Sequence, residues 1–285
     1  MWRVSRVLII GATGNVGREV VSQLPATGVN VRAMTRNPRG TRFQPGVEVV
    51  RGDLTIPESL DRCVEGVDAV FLVWTAPPNT VVPAIKRIAN YERRVVLLTS
   101  PYKTPHPFFQ QPNPMRVLYA QIEQVIESSG IEWTFLRPGI FAGNCLGWWA
   151  EQIRGENAVR WPYLDVHTAP IHERDIAAVA VRALTEDRHA GREYVLTGPQ
   201  SLSQGEQISI IANVLGRSLQ MEDISPDEAL SELRMPPEIV KMLLNAWDAA
   251  AGQPAFVTST VEEVTGAPAH TFRDWAEEHA SEFRA

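Results

Sequence analysis

The sequence predicts an α/β fold, a doubly wound parallel sheet that carries a small, mostly helical lobe at its C-terminal end. Three observations predict it. An apolar run at residues 7–10 passes into Gly11-Ala12-Thr13-Gly14-Asn15-Val16-Gly17 and from there into an apolar periodicity of helical type over residues 16–24. Further short apolar runs alternate with helical patterns as far as residue 196. From residue 225 onward the pattern is helical throughout.

The first of these carries chemistry. Four apolar residues in a row read as a strand buried on both faces. Gly11 lets the backbone turn tightly, Gly14 lets it approach a pyrophosphate, and Gly17 lets the helix pack on the strand. The helix N-terminus then offers free N–H groups to an anion. The spacing is Gly-x-x-Gly-x-x-Gly rather than Gly-x-Gly-x-x-Gly, and alone it would fit any glycine-rich turn. Strand before and helix after are the context that makes it a dinucleotide-binding signature.

Composition narrows the classes. A chain of 285 residues suffices for one large domain, or for one domain with an added lobe. Hydrophobic residues at 44% and charged residues at 21% are those of a globular protein and argue against disorder. A net charge of -6 disfavours a general nucleic-acid surface. Cys63 and Cys145 stand far apart with no His or Cys at ligand spacing, so they suggest buried thiols in a reducing compartment, without a metal site or a disulfide framework. No apolar stretch approaches the roughly 20 residues of a membrane span, and the chain enters its first strand within a few residues. The expectation is a cytoplasmic protein with a small-molecule partner, no membrane or nucleic-acid partner, and room for a homodimer.

Residues 29–35 read as the second strand. In the dinucleotide fold an acidic residue at its end holds the ribose 2′-hydroxyl of NAD, whereas an arginine accommodates the 2′-phosphate of NADP. Arg36 stands there, with Arg32, Arg39 and Arg42 nearby and no carboxylate before Glu48. The guanidinium fork suits a phosphate, the other reading being a solvated basic loop. Residues 46–50 form a third strand, followed by Gly52-Asp53-Leu54. There Asp53 either accepts from the exocyclic amine of adenine or caps the helix that has Pro57 at its first position. The fourth strand, residues 69–73, leads into Trp74-Thr75-Ala76-Pro77-Pro78-Asn79, a loop on the path of a cofactor. A helix over residues 80–90 and a fifth strand over 94–100 follow. Residues 101–112 hold four prolines with Tyr102, His106, Phe108 and Phe109, too aromatic for a plain linker. Asn113 and Pro114 read as N-cap and first position of a helix ending at Gly130, and residues 132–136 as the sixth strand.

At this point several motifs together resemble the atypical short-chain dehydrogenase/reductases, within them the NmrA-like and NAD(P)H:quinone-reductase-like group. They are the glycine loop, Arg36, Gly52-Asp53-Leu54, the stretch at 128–139 that ends in Leu136-Arg137-Pro138-Gly139, the stretch at 170–177 around His172 and Asp175, and Leu196-Thr197-Gly198-Pro199. The resemblance spans roughly residues 5–220. It implies a Rossmann domain over residues 1–150, with 171–197 returning to it, and a substrate lobe from 151–170 and 198–285. It also implies NADP(H) held by Gly11, Thr13, Gly14, Asn15, Val16, Gly17, Arg36, Asp53, Leu54, Trp74, Thr75, Ser100, Pro138 and Gly139, with the nicotinamide near Arg137.

One departure matters. The superfamily usually carries Tyr-x-x-x-Lys on the helix that here begins at Pro114, the lysine lowering the pKa of a proton-donating tyrosine. In this chain Met115 takes the Tyr position, Tyr119 the Lys position, and Glu123 follows one turn on; the helix has no lysine. A phenol without a neighbouring cation keeps a pKa near 10, so Tyr119, the candidate catalytic residue, is a weak acid. Three readings remain. One is hydride transfer from NADPH to a quinone or similar conjugated carbonyl compound, whose stable reduced anion needs little proton donation. The second is NADP binding that reports redox state without turnover. The third is a site reused for cyclisation or dehydration.

Downstream, Trp148 and Trp149 are adjacent on a helix and about 100° apart, so both cannot face one core. With Tyr102 and Phe141 they are the expected substrate contacts, and a flat, apolar, aromatic substrate follows; as core residues of the lobe they would read equally well. Asp175 falls in the first turn of a helix, where negative charge suits the dipole. Ser203 and the pair Ser225/Glu228 mark later helix starts.

Overall fold

In the computed structural model, residues 4–91 and 94–284 are described, so the first three residues of the expected nucleotide domain lie outside them. The first half of the chain runs β1 (Arg6–Ile10), α1 (Asn15–Gln23), β2 (Asn30–Thr35), β3 (Glu48–Arg51), α2 (Asp61–Val64), β4 (Ala69–Val73), α3 (Val81–Tyr91), β5 (Arg94–Leu98), α4 (Pro107–Gln110), α5 (Pro114–Ser128) and β6 (Glu132–Pro138). The second half runs α6 (Asn144–Glu156), β7 (Ala158–Trp161), β8 (His167–Thr168), α7 (Glu173–Thr185), β9 (Arg192–Leu196), β10 (Leu202–Ser203), α8 (Gln204–Leu215), β11 (Gln220–Asp223), α9 (Pro226–Glu232), α10 (Pro237–Ala250), α11 (Thr260–Thr265) and α12 (Phe272–Glu278).

Seven strands form one sheet in the order β3-β2-β1-β4-β5-β6-β9, and every neighbouring pair is parallel. The order reverses between β1 and β4, which opens a crevice at the carboxyl ends of those strands. Alternate residues of β1 serve opposite faces, as the period of two requires. Val7 and Ile9 join a core with residues of α1, α7 and α11, and Leu8 and Ile10 join a core with α3 and α5. A third core, built on Trp149, Trp161, Trp247 and Trp275, belongs to the C-terminal lobe.

Helix ends follow the local chemistry. The Asn113 side chain accepts from the Met115 N–H at 2.8 Å and so caps α5. Ser203 with Glu206, and Ser225 with Glu228, form capping boxes at α8 and α9. His172 caps α7 by accepting the Arg174 N–H on Nδ1 at 3.2 Å. Asp175, in that first turn, accepts the His270 backbone N–H at 2.8 Å and lies 2.6 Å from its Nδ1, which ties the C-terminal segment to the Rossmann domain.

Three features depart from the expected layout. The loop at 101–112 contains the one-turn helix α4. The lobe holds two small sheets, β7 with β11 in parallel and β8 with β10 antiparallel; their strands are two to four residues long and β11 is wholly exposed, too short and polar for a periodic signal. The buried face of α6, with Cys145, Trp149 and Ile153, lies in the lobe core ahead of residue 151, while Val261 and Val264 of α11 pack back on the Rossmann core. Among the described residues no helix is long and apolar enough to cross a membrane. Both cysteines are buried and unpaired.

Candidate active site

The turn after β1 is held by two glycines and left open by the third. Gly11 adopts φ +87°, and a Cβ on it would stand 2.7 Å from that of Val73. A Cβ on Gly17 would stand 2.1 Å from the Gly11 carbonyl oxygen, so α1 can reach β1 only without one. Gly14 is different: its backbone is extended and a Cβ would find its nearest atom at 3.4 Å. Gly14 is also the N-cap of α1, with no side chain capping the helix. The residues present therefore fit a dinucleotide phosphate, with unfilled N–H groups of Asn15, Val16 and Gly17 at the carboxyl edge of the sheet. Thr13 is exposed on the same turn.

Along that edge Arg36 is exposed just past β2, as are Arg39 and Arg42. Arg32 is not available to a ligand: it is buried, pairs with Glu48 at 2.9 Å and donates to the carbonyls of Cys63 and Glu65. The Asp53 carboxylate accepts from the backbone and hydroxyl of Thr55 at 2.9 and 2.8 Å. The backbone bond above all holds its pKa below the ordinary value against the opposing effect of burial, with the Thr55 hydroxyl and the charges of Arg36 and Arg51 helping. Leu54 is buried in the sheet core. The Trp74 indole donates to the Ala76 carbonyl at 2.7 Å and shapes the loop after β4, leaving Thr75 exposed.

At the ends of β5 and β6 lies a buried polar network. Glu123 and Arg137, 2% and 1% exposed, form a bidentate pair at 2.9 and 2.7 Å. Thr99 and Tyr102 donate their hydroxyls to Glu123 at 2.6 and 2.7 Å. Arg137 also donates to Glu193 at 2.7 Å and to the Ser100 carbonyl at 2.9 Å, and Lys103 reaches Glu193 at 3.1 Å. Burial opposes the guanidinium charge, but the bonds from Glu123 and Glu193 outweigh it and raise the pKa of Arg137. Burial, then Glu123, pushes the Tyr102 phenol up to about 12.

Beside the network is a cavity of about 150 Å³, lined among others by Ser100, Tyr102, Phe108, Phe109, Gly139 and Leu243. An apolar cavity of about 150 Å³ takes one benzene-sized ring. Tyr119 does not line it. Its phenol is packed against the sheet core from α5, and burial raises its pKa. Pro138 ends β6, and Phe141 packs beside Ile171 on the Rossmann core. Trp149 is fully buried, its ring 5.8 Å from that of Trp148 and 5.9 Å from that of Trp161. Trp148 also meets Trp247 of α10 at 5.9 Å, whereas Met242, Leu243 and Ala246 of α10 face the cavity, so that helix separates the tryptophans from it.

The pairing of Glu123 with Arg137 and Tyr102, and the parts played by Thr99, Glu193 and the α10 residues, were beyond the sequence reading. One signal was available: an arginine inside the apolar strand 132–138 cannot be buried unpaired, so some carboxylate had to meet Arg137.

Sheet order and glycine turn define a Rossmann-type dinucleotide-binding protein. The profile of the NAD(P)H-binding family matches residues 11–187, and the chain belongs to that family. It is 40% identical to the (4-alkanoyl-5-oxo-2,5-dihydrofuran-3-yl)methyl phosphate reductase of Streptomyces griseus, covering 97% of this chain and 99% of the relative. It is 32% identical to the NAD(P)H azoreductase of Xenophilus azovorans, covering 98% and 99%. Its fold matches the NADPH-dependent quinone oxidoreductase of Escherichia coli with a TM-score of 0.79, at 21% identity over 95% of this chain and 98% of that one. The triphenylmethane reductase of Citrobacter sp., solved with NADP(H), matches with a TM-score of 0.79 at 19% identity over 97% and 99%. The chain is an NAD(P)H-dependent oxidoreductase.

Proposed function

We propose that this protein reduces a quinone or similar conjugated carbonyl compound of one-ring size with NADPH, in the cytoplasm, and that the acceptor's own delocalised anion takes the place of a protein acid. The observation that carries this is Tyr102. It is the phenol on the cavity wall, and its proton is committed to Glu123 at 2.7 Å while its pKa is pushed up to about 12. Such a group orients the acceptor and excludes water but is a poor general acid at neutral pH. The other polar side chains of the lining, Ser100, Gln111 and Asn113, are neutral and can hydrogen-bond a carbonyl. The reduced nicotinamide, when bound, supplies the hydride. The negative charge left on the acceptor is delocalised over oxygen and the conjugated ring, and the anion takes its proton from water.

The relatives' names support turnover over the redox-sensing and cyclisation readings. The substrate named for the Streptomyces griseus enzyme has an unsaturated ring flanked by a ring carbonyl and an alkanoyl carbonyl, so hydride addition to it, as to a quinone, leaves a delocalised anion. Both Tyr119→Phe and Tyr102→Phe should lower turnover of a single-ring quinone less than about tenfold, since general acids contribute about a hundredfold to ten-thousandfold where they act. A thousandfold loss in either variant, measured as NADPH consumption, overturns the acid-free reading.

Arg36 sets the preference for NADPH in this proposal. Charge-assisted bonds to a phosphate contribute about 1.5–3 kcal/mol, so Arg36→Ala should weaken NADPH binding by about tenfold or more and leave NADH binding unchanged. Fluorescence titration with both nucleotides checks it, and an unchanged affinity ratio contradicts it.

A further inference from the structure

We infer that the amide nitrogen of Asn113 is the fixed hydrogen-bond donor for the acceptor's carbonyl oxygen, and that it stabilises the negative charge that reduction leaves there. This rests on the cavity of about 150 Å³ being the acceptor site. Asn113 lines that cavity from the N-cap of α5. One end of its amide is already committed. A backbone N–H can be met only by an acceptor, so the atom 2.8 Å from the Met115 nitrogen is Oδ1. The carboxamide is planar, so the same bond fixes where Nδ2 stands. Among the described residues nothing accepts from Nδ2, which leaves its N–H groups for a ligand.

The other donors of the lining are less suited to the task. Tyr102 gives its proton to Glu123. The Gln111 amide nitrogen donates to the Pro107 carbonyl at 3.2 Å. The Ser100 carbonyl accepts from Arg137 at 2.9 Å, but its hydroxyl is held by nothing among the described residues and turns freely. A donor set before the reaction stabilises developing charge without having to reorganise, which favours the pinned amide. Charge around the cavity agrees. The cationic groups of Lys103 and Arg116 stand 5.8 and 5.7 Å from the centre of the Tyr102 ring on the cavity wall. Arg116 belongs to the first turn of the helix that Asn113 caps, and among the described residues it meets no carboxylate.

The step balances without a protein acid. The acceptor gains two electrons and one proton as hydride from the reduced nicotinamide, which is left oxidised. The carbonyl π pair moves onto oxygen, Asn113 keeps its own protons and donates only a hydrogen bond, and water supplies the second proton.

Two variants, Asn113→Asp and Asn113→Ser, keep the N-cap, since Asp and Ser serve there as well as Asn, and both remove the amide donor. Unfolding midpoints should stay close to wild type. With NADPH and a single-ring quinone, kcat should fall about a hundredfold in both variants and KM change by less than about threefold, the mark of an interaction made in the transition state. A second readout needs no turnover. The Kd of the complex with NADP+ is measured by calorimetry for pentafluorophenolate, a one-ring anion at neutral pH, and for hexafluorobenzene, the same ring without the oxygen. Wild type should prefer the phenolate by about tenfold or more, and both variants should lose about tenfold of that preference. A cap without this role would leave both readouts of the Ser variant at wild-type values, and that result overturns the assignment. A loss confined to Asn113→Asp reports its added charge and overturns it too. Absence of NADPH consumption by the wild type with every quinone overturns the reductase reading instead, and the phenolate preference still decides Asn113.

Discussion

Replacing Arg137 with leucine should cost about 3–5 kcal/mol of stability, the usual effect of breaking a buried ion pair from one side. At 1% exposure the side chain has no water to replace its partners, and its removal leaves the buried Glu123 carboxylate with Thr99, Tyr102 and, at 3.5 Å, the exposed Lys103 ammonium. Two hydroxyl donors and one solvated cation soften the loss without replacing the bidentate pair. With about 2–4 °C of melting temperature per kcal/mol for large domains, the midpoint should fall by roughly 6–20 °C. Adding Glu123→Leu to Arg137→Leu should recover a large part, because the uncompensated charge goes with it. Thermal and urea unfolding of the single and double variants check this; a single variant within about 1 kcal/mol of wild type would show the pair to be dispensable.

The glycine turn should separate into a structural and a ligand-facing part. Alanine at Gly17 must push its Cβ against the Gly11 carbonyl, 2.1 Å away, and overpacking of this kind costs about 1–3 kcal/mol or more. Both the melting temperature and NADPH affinity should fall, since α1 is displaced from β1. Alanine at Gly14 meets nothing closer than 3.4 Å, so stability should stay within about 0.5 kcal/mol of wild type. Its methyl group would occupy the space over the helix N-terminus, and NADPH affinity should fall by about tenfold or more, each 1.4 kcal/mol of lost contact being a factor of ten. Calorimetric titration with NADPH, beside unfolding curves for both variants, reads the two effects apart. Undiminished binding in Gly14→Ala would mean that the phosphates lie elsewhere.

Much of the fold was legible because its signals are local. The strand-to-helix passage through Gly11, Gly14 and Gly17, the Asn113 cap and the boxes at Ser203 and Ser225 each depend on residues within four positions of one another. The short strands of the lobe were hidden because β11 is polar and exposed and gains order only by pairing with β7. The candidate site was legible at its nucleotide end and much less so at the acceptor end. Arg32 looked like a neighbour for a phosphate, yet its guanidinium is spent on Glu48 and on carbonyls around α2. The ring cavity gathers Tyr102 and Phe109 from one loop with Leu243 from α10, and the network beneath it joins Thr99, Glu123, Arg137 and Glu193 from four elements. No periodicity links such residues; only the parallel register of β5, β6 and β9 brings them together.

The most direct measurement is anaerobic consumption of NADPH by the purified protein with a single-ring quinone, compared with a saturated cyclic ketone of the same size. Hydride transfer without a protein acid predicts one hydroquinone formed per NADPH consumed and no consumption with the saturated ketone, whose alkoxide needs a donor. Tight NADPH binding with no quinone reduced, or equal reduction of the saturated ketone, would contradict it.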